Sequence, residues 1–473
     1  VLTRFQPYFH TLSHKIGNGF RREVERGEKQ EMNKFFKGTL LLAVAAFLGE
    51  SIEFIVNMIL AKNLGEEGMG LYMSVLPVIF LVVVISSLEL PISISKFVAA
   101  KEEKYHQSML HHAMRLAVVF TIMVLIIAAL TLPLIPVFQH YHPLVKWLVL
   151  IMIPVISFSS IARGYFMGLQ HMGKIAISNF LRKVVQLGLL VVVYHFFHFS
   201  LEVSILIAIS TLIGTELIVC LYLLYMYRLQ YIELKTKAAA RIDGRTVRKN
   251  LLEVSIPTTG MRLFHAVTNA IQPFLIKIAL VKAGLSHTIA LEEFGLLAGV
   301  ALSIGFFPGF IAHSLLIVLI PTVSEAHVNH DYTKMQKLLK QVMIITFIYG
   351  IPVVMVFYHF AIPLTNIFFE NSHAASYVQL LWPFFLFHLF VAPLQAYLIG
   401  LGLIKDAFLH SIWSTSISFL LMFILGSLPN LQMNGVILGM NTGMVLLTLM
   451  HYFTVCNKIN VTLWLKQTNS KAA

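Results

Sequence analysis

The chain has 473 residues, 58% hydrophobic and only 12% charged, with a mean hydropathy of +0.79; soluble domains are about 45–50% apolar, so a soluble globular protein is excluded. The formal charge of +13 does not point to nucleic acid, because the 35 Lys and Arg gather in connections between apolar runs. Cys220 and Cys456, the two cysteines, both lie in or beside apolar segments, which excludes a disulfide framework.

Residues 1–34 read as a basic cytoplasmic extension, with Arg21, Arg22, Arg26 and Lys29 ahead of any apolar run and without the apolar core and cleavage site of a signal peptide. Met32 stands just before the first run and is expected to be the natural start, the residues from Val1 being upstream translation. Twelve spans follow, about 35–60, 70–91, 113–134, 145–166, 175–197, 201–227, 251–281, 294–320, 340–365, 376–400, 406–428 and 432–455. Each is long enough for about 30 Å of hydrocarbon. The expected architecture is therefore an all-α integral membrane protein of two six-helix bundles, 35–227 and 251–456. A basic linker (228–250) joins them, and a tail (457–473) follows.

Orientation comes from the connections. Placing the N-terminus inside leaves only Lys62, Lys146 and Lys282 outside, and Arg115, Arg182, Lys183, Arg262 and Lys277 fall within spans. The positive-inside rule then puts both termini in the cytoplasm. The linker, with seven basic residues from Arg228 to Lys249, reads as a topology determinant that could also attract anionic lipid.

The second half repeats the first at an offset of six spans. Gly164-Tyr165-Phe166-Met167-Gly168-Leu169 corresponds to Ala396-Tyr397-Leu398-Ile399-Gly400-Leu401, with Lys174 and Lys405 shortly after. Lys62, Glu66, Glu67, Gly70 and Leu71 correspond to Lys282, Glu292, Glu293, Gly295 and Leu296, and the second and eighth spans end near Pro91 and Pro321. An even offset keeps both copies in one orientation, so they should be related by a pseudo-twofold axis along the membrane normal, with a cavity between them.

Polar groups inside a span are costly and point to a wet cavity or a partner. On the first span Glu50, Glu53 and Asn57 share one face; on the seventh, Thr258, Arg262, His265, Asn269 and Gln272 do so. Glu89 and Glu216 lie on the second and sixth spans. One reading is a substrate cavity in which Arg262 offers its planar donor fork to a phosphate or carboxylate, Thr258, His265, Asn269, Gln272 and Glu89 complete the wall, and Glu50, Glu53 and Asn57 bind a coupling Na+ or H+. The other is an interhelical ion pair of Arg262 with Glu50 or Glu53. Pro257, Gly260 and Pro273 should bend the seventh span. His140, His142, His195, His198, His287 and His373 read as interfacial histidines, because no cysteine or carboxylate cluster completes a metal set. No nucleotide loop, dinucleotide turn or nucleophile elbow occurs, so neither an enzyme nor a resident cofactor is expected.

Three stretches carry a family resemblance: Gly65-Glu66-Glu67-Gly68 with Gly70-Leu71-Tyr72, Leu90-Pro91-Ile92-Ser93-Ile94-Ser95-Lys96, and Arg163-Gly164-Tyr165-Phe166-Met167-Gly168-Leu169-Gln170. They resemble the multidrug/oligosaccharidyl-lipid/polysaccharide (MOP) flippase superfamily, and within it the polysaccharide-export branch that includes stage V sporulation protein B. The resemblance implies a V-shaped alternating-access transporter moving lipid-linked saccharides to the outer leaflet of a bacterial plasma membrane for envelope or spore-wall assembly. Membrane lipids and biosynthetic proteins are the implied partners, with no nucleic acid. Such a substrate would present a polyprenyl diphosphate, and Arg262, Arg182 and Lys183 are placed against it by their charge, not by a matched family site. Members that flip the peptidoglycan precursor resemble a fourteen-helix plan with arginine-rich first helices. Twelve spans and Glu50, Glu53 and Glu89 are closer to the multidrug antiporters, where an acid in the first helix helps bind the coupling ion. A cation-coupled exporter and a non-transporting scaffold are the alternatives.

Overall fold

A computed structural model describes residues 6–134, 136–235, 240–370 and 373–462. It is all-α, built from sixteen α-helices: α1 (Gln6–Ser87), α2 (Leu90–Ala100), α3 (His106–Thr131), α4 (Leu144–Gly168), α5 (Met172–Phe196), α6 (Leu201–Lys235), α7 (Gly244–Lys282), α8 (His287–Gly295), α9 (Leu302–Phe306), α10 (Gly309–Val328), α11 (Tyr332–His359), α12 (Ala361–Asn366), α13 (Ala374–Leu380), α14 (Trp382–Gly400), α15 (Ile404–Gly426) and α16 (Met433–Lys458). Among the described residues, twelve helical runs are long and apolar enough to cross a membrane.

The count matches the sequence reading, but two elements differ. The first two spans form one run, 46–100, because helix continues to Leu64 and turns at Gly65 alone, with φ 68° and ψ −179°. Only glycine reaches that backbone region without strain. The predicted eighth span is instead two runs: α8, a π-helical turn (Leu296–Ala301) and α9, then a break at Phe307–Pro308, then α10. The second span likewise does not stop at Pro91. It breaks at Leu88 and Glu89, with φ 45° and 46°, and resumes as α2. Pro91 fits the second helix because the first turn of a helix needs no N–H from it.

The linker is mostly helical as well, since α6 reaches Lys235 and α7 begins at Gly244. Asp243 caps α7 by accepting a hydrogen bond from the Thr246 backbone N–H at 3.0 Å, which holds this exposed carboxyl below its ordinary pKa. The expected Met32 start lies outside anything the fold tests.

The repeat is visible in the packing. Gly168 of α4 lies on Val98 of α2, and Gly400 of α14 lies on Val323 of α10. Tyr165 and Tyr397 are both fully buried: Tyr165 meets the edge of His106 at the start of α3, and Tyr397 donates to the Met335 carbonyl at 3.0 Å near the start of α11. Each half thus anchors its fourth helix by one tyrosine to its third. Tyr397→Phe removes a buried hydrogen bond and is expected to cost about 0.5–1.5 kcal/mol, read as a lower thermal midpoint in detergent.

The halves meet where their equivalent glycines cross. A Cβ on Gly295 would stand 2.5 Å from the Glu66 carbonyl oxygen and 2.7 Å from the Gly70 nitrogen; one on Gly70 would strike the Leu291 carbonyl. Gly70 and Gly295 are the paired positions of the repeat, so their contact lies where a twofold axis requires it. Helix α7 crosses between halves at the opposite end, where Val247 and Leu251 join the core of Leu90, Ile94, Met109 and Leu110.

Candidate functional site

A cavity of about 610 Å³ opens between the second arm of α1, helix α7 and the α8–α9 run. Its two walls differ in kind because the two helices differ in sequence. On α1, Met73, Leu76, Pro77, Phe80, Val83 and Val84 recur at helical spacing and give an apolar wall. On α7, Arg262, His265, Asn269 and Gln272 recur at the same spacing and give a polar one. A second cavity of about 370 Å³ adjoins it on the far side of α7, sharing His265, Asn269 and Gln272 and adding Thr268, Ser414 and Ser418.

Arg262 lines the main cavity. Its Nη1 donates to the Oε1 of Glu89, a short charge-assisted contact between the halves. The partners are unequally placed: the Glu89 side chain is 2% exposed and that of Arg262 is 58% exposed. Glu89 therefore fixes one edge of the guanidinium while the remaining donors face the cavity. Glu89 is also the left-handed residue at the break between α1 and α2, and its backbone N–H lies 3.4 Å from the Ser87 hydroxyl. A strained break in the helix and a buried carboxylate that holds an exposed arginine thus coincide in one residue.

The other sequence-singled residues fall in different places. Arg262 does not pair with Glu50 or Glu53. Those two carboxylates, each 3.7 Å from Lys183 Nζ, face the fifth span of their own half, and Lys183 also donates to the Gly49 carbonyl at 2.9 Å. The acidic and basic stripes do not meet, because α1 turns its acidic face toward α5 while its second arm faces α7. Asn57 reaches α9, donating to Ser303 Oγ at 3.3 Å. Glu50, Glu53 and Asn57 line neither cavity. Thr258 is on α7 but spends its hydroxyl on the Val254 and Ser255 carbonyls, at 2.8 and 3.1 Å. Its back-bonding and Pro257, which lacks an N–H, relax the helix one turn before Arg262.

Arg182 pairs with Glu216 at 2.8 Å, and Arg163 lies in the field of that pair. Arg182 and Lys183 are thus both engaged and line neither cavity, whereas Arg262, held on one side by Glu89, lines the main one. The motif residues Gly164, Tyr165, Phe166 and Gly168 build packing: Gly164 touches Pro91 of α2, and Lys174 lies 4.4 Å over the Phe166 ring. Among the described residues no group of three or more His, Cys, Asp or Glu could hold a metal ion.

Two features escape a linear reading. Lys277 projects from α7 to the Ser74 hydroxyl, at 3.2 Å, across the junction of the halves. Phe294, Leu297 and Phe306 wall the cavity from the eighth span. Nothing in their spacing distinguishes them from lipid-facing residues; the π-helical turn, which rotates the following residues, brings Phe306 round to the site.

The chain has recognisable relatives. A family model described as polysaccharide biosynthesis protein matches residues 35–327. Sporulation protein YkvU of Bacillus subtilis (strain 168) is 54% identical over 434 residues, 92% of this chain and 98% of the relative. Stage V sporulation protein B of the same organism is 31% identical over 449 residues, 92% and 86% of the two chains. Among solved structures, the inward-facing conformation of a multidrug resistance MATE family transporter of the MOP superfamily superposes with a TM-score of 0.69 at 16% identity, covering 89% of this chain and 98% of that one. A MOP superfamily transporter from Pyrococcus furiosus, described by the reverse polarity of its binding pocket, gives 0.65 at 15% identity, covering 91% and 97%. These likenesses fix the fold as that of the MOP superfamily.

Proposed function

The chain belongs to the polysaccharide biosynthesis protein family, and from that membership and its two-walled cavity we propose that it is an alternating-access flippase for a lipid-linked saccharide in a bacterial plasma membrane. The observation that carries the reading is the cavity itself. An amphipathic ligand needs an apolar surface and a polar one within reach of each other, and α1 and α7 supply them. Arg262 meets the phosphate, Asn269 and Gln272 hydrogen-bond the sugar hydroxyls, and the stripe from Met73 to Val84 lies along the lipid. No bond is made or broken; the work is moving a polar head through hydrocarbon by exposing it to one side at a time.

Both named relatives are sporulation proteins, which supports a role in spore-wall or related envelope assembly, with the enzymes that build the saccharide as functional partners. The distribution of Lys and Arg supports termini on the cytoplasmic side. Glu50 and Glu53, held by Lys183, are less suited to a coupling ion than their sequence position suggests.

Ligand class is tested by native mass spectrometry of the purified protein with undecaprenyl diphosphate or phosphatidylglycerol. Wild type is expected to hold undecaprenyl diphosphate at least about tenfold better, since a charge-assisted hydrogen bond contributes about 1.5–3 kcal/mol. Arg262→Ala in a Glu89→Gln background is expected to lose that preference. Equal occupancy of the two lipids by wild type overturns the reading.

A further inference from the structure

Every carboxylate deep inside the spans of the first half has a cation: Glu50 and Glu53 have Lys183, Glu89 has Arg262 and Glu216 has Arg182. In the second half Glu292 and Glu293 lie on α8, where Tyr377 donates to Glu293, and Glu253 and Asp406 stand toward the starts of α7 and α15. Proton-coupled transport needs a group that can take up and release a proton within the membrane; Glu89 and Glu216 are held by arginines, and Glu50 and Glu53 share one lysine. The second half instead carries buried imidazoles.

Two of them touch. His410 of α15 and His451 of α16 are 8% and 1% exposed, and their Nδ1 atoms lie 3.1 Å apart. Two neutral imidazoles at this distance share one hydrogen, one ring donating and the other accepting. The Nε2 of His410 is in turn 3.3 Å from the Thr454 hydroxyl. We infer that His410 and His451 form the proton-exchange site of the second half. This deepens the flippase reading and rests on it for the purpose of the exchange.

The chemistry limits the site to one proton. An imidazolium donating to a neutral imidazole keeps the N–H···N bond, whereas a second proton would leave two donors facing each other at 3.1 Å and place like charges in contact. The location gives the proton both an entry and a consequence. One turn beyond His410 is Ser414, and one turn before His451 is Leu447; both line the second cavity, which shares His265, Asn269 and Gln272 with the main one. One turn before His410, at the end of α15, is Asp406, whose field reaches the ring. The pair thus stands between the polar cavity and a carboxylate at the helix end.

The remaining ionisable groups on the elements packed against the pair are engaged elsewhere or lie at helix ends. On α7, Arg262 is held by Glu89 and Lys277 reaches Ser74, while His265 lines both cavities. On α14, His388 is packed with Phe384 and Phe306; on α13, Tyr377 donates to Glu293; Lys405 and Lys458 lie at the ends of α15 and α16. A proton on the pair therefore adds a charge between packed helices that Asp406, one turn away at the helix start, offsets in part. Loading it favours whichever arrangement of α15 and α16 wets the pair, which is how proton binding shifts a conformational equilibrium.

The test uses the full-length protein in liposomes with a fluorescent undecaprenyl-diphosphate saccharide, comparing translocation with and without an imposed pH gradient. In wild type the gradient is expected to change the rate at least about tenfold, a differential of about 1.4 kcal/mol. In His410→Gln, in His451→Gln and in the double variant, which keeps an amide pair able to hydrogen-bond, the ratio of the two rates is expected to fall to one. A gradient effect that survives in any of the three, or a wild type that moves the probe indifferently to pH, overturns the inference and leaves the flippase reading intact. If wild type moves no probe, the flippase reading fails, and the proton site is read from the exchange of the histidine C2 hydrogens followed by mass spectrometry. A titration of His451 displaced by at least about one pH unit on His410→Gln supports the site; an undisplaced one overturns it.

Discussion

Arg262→Ala is expected to destabilise the folded protein by about 1–3 kcal/mol, because it leaves a buried carboxylate short of its charged partner rather than merely losing a contact. Glu89 is 2% exposed on its side chain, sits at the left-handed break between α1 and α2, and has Arg262 as its charged partner. Replacing Glu89 by Gln removes that stranded charge, so Glu89→Gln/Arg262→Ala should recover most of the stability lost by Arg262→Ala. It should not recover lipid binding or translocation, because the guanidinium that faces the cavity is still missing. Thermal unfolding of the four proteins in the cycle, paired with lipid occupancy for each, separates the two roles. Stability and binding recovering together would show that Arg262 serves only the fold.

The second large effect is expected at the crossing of the halves. Gly295→Val places side-chain carbon against the Glu66 carbonyl and the Gly70 nitrogen, and Gly70→Val places it against the Leu291 carbonyl. These are backbone atoms, which cannot rotate aside, so α1 and α8 must separate. Overpacking of this kind costs about 1–3 kcal/mol, enough to shift a conformational equilibrium by about 5- to 150-fold toward the state in which this end is open. Glu66, Glu292 and Glu293 lie close enough to interact at this end, so their mutual repulsion acts in the same direction. Spin labels on the two halves, outside the helix cores, would report a longer distance in either valine variant. An unchanged distance would mean that the crossing is not the moving contact.

How much of this could be read from the residues follows from the physics each feature depends on. The spans were legible because hydrocarbon imposes a length and an apolar composition on any helix crossing it, and the repeat was legible because Gly and Lys recur where leucines alone would carry no information. The polar stripe of α7 was legible for the same reason as any helix face: Arg262, His265, Asn269 and Gln272 keep helical spacing, and the structure sets them along one cavity.

Partner choice was not legible. Spacing tells which residues share a face but not which helix that face meets, so it leaves Glu50 and Glu53 open as partners of Arg262, whose partner is Glu89, and a phosphate open for Lys183, which faces both first-helix acids. The breaks were hidden too. Leu88 and Glu89 adopt left-handed backbone although neither is glycine, a conformation that only surrounding packing can enforce. The π-helical turn at Leu296–Ala301 has no composition of its own. The His410–His451 contact joins residues 41 apart on two helices whose rotation no linear pattern fixes.

The central claim is that the cavity carries an anionic lipid-linked head across the membrane. It is met most directly by leaflet-resolved translocation of a fluorescent undecaprenyl-diphosphate saccharide in liposomes holding wild type, the Glu89→Gln/Arg262→Ala pair, or no protein. Transfer by wild type well above empty liposomes, and by the double variant at the empty-liposome rate, is the predicted result. Transfer by folded wild type no faster than empty liposomes would contradict it.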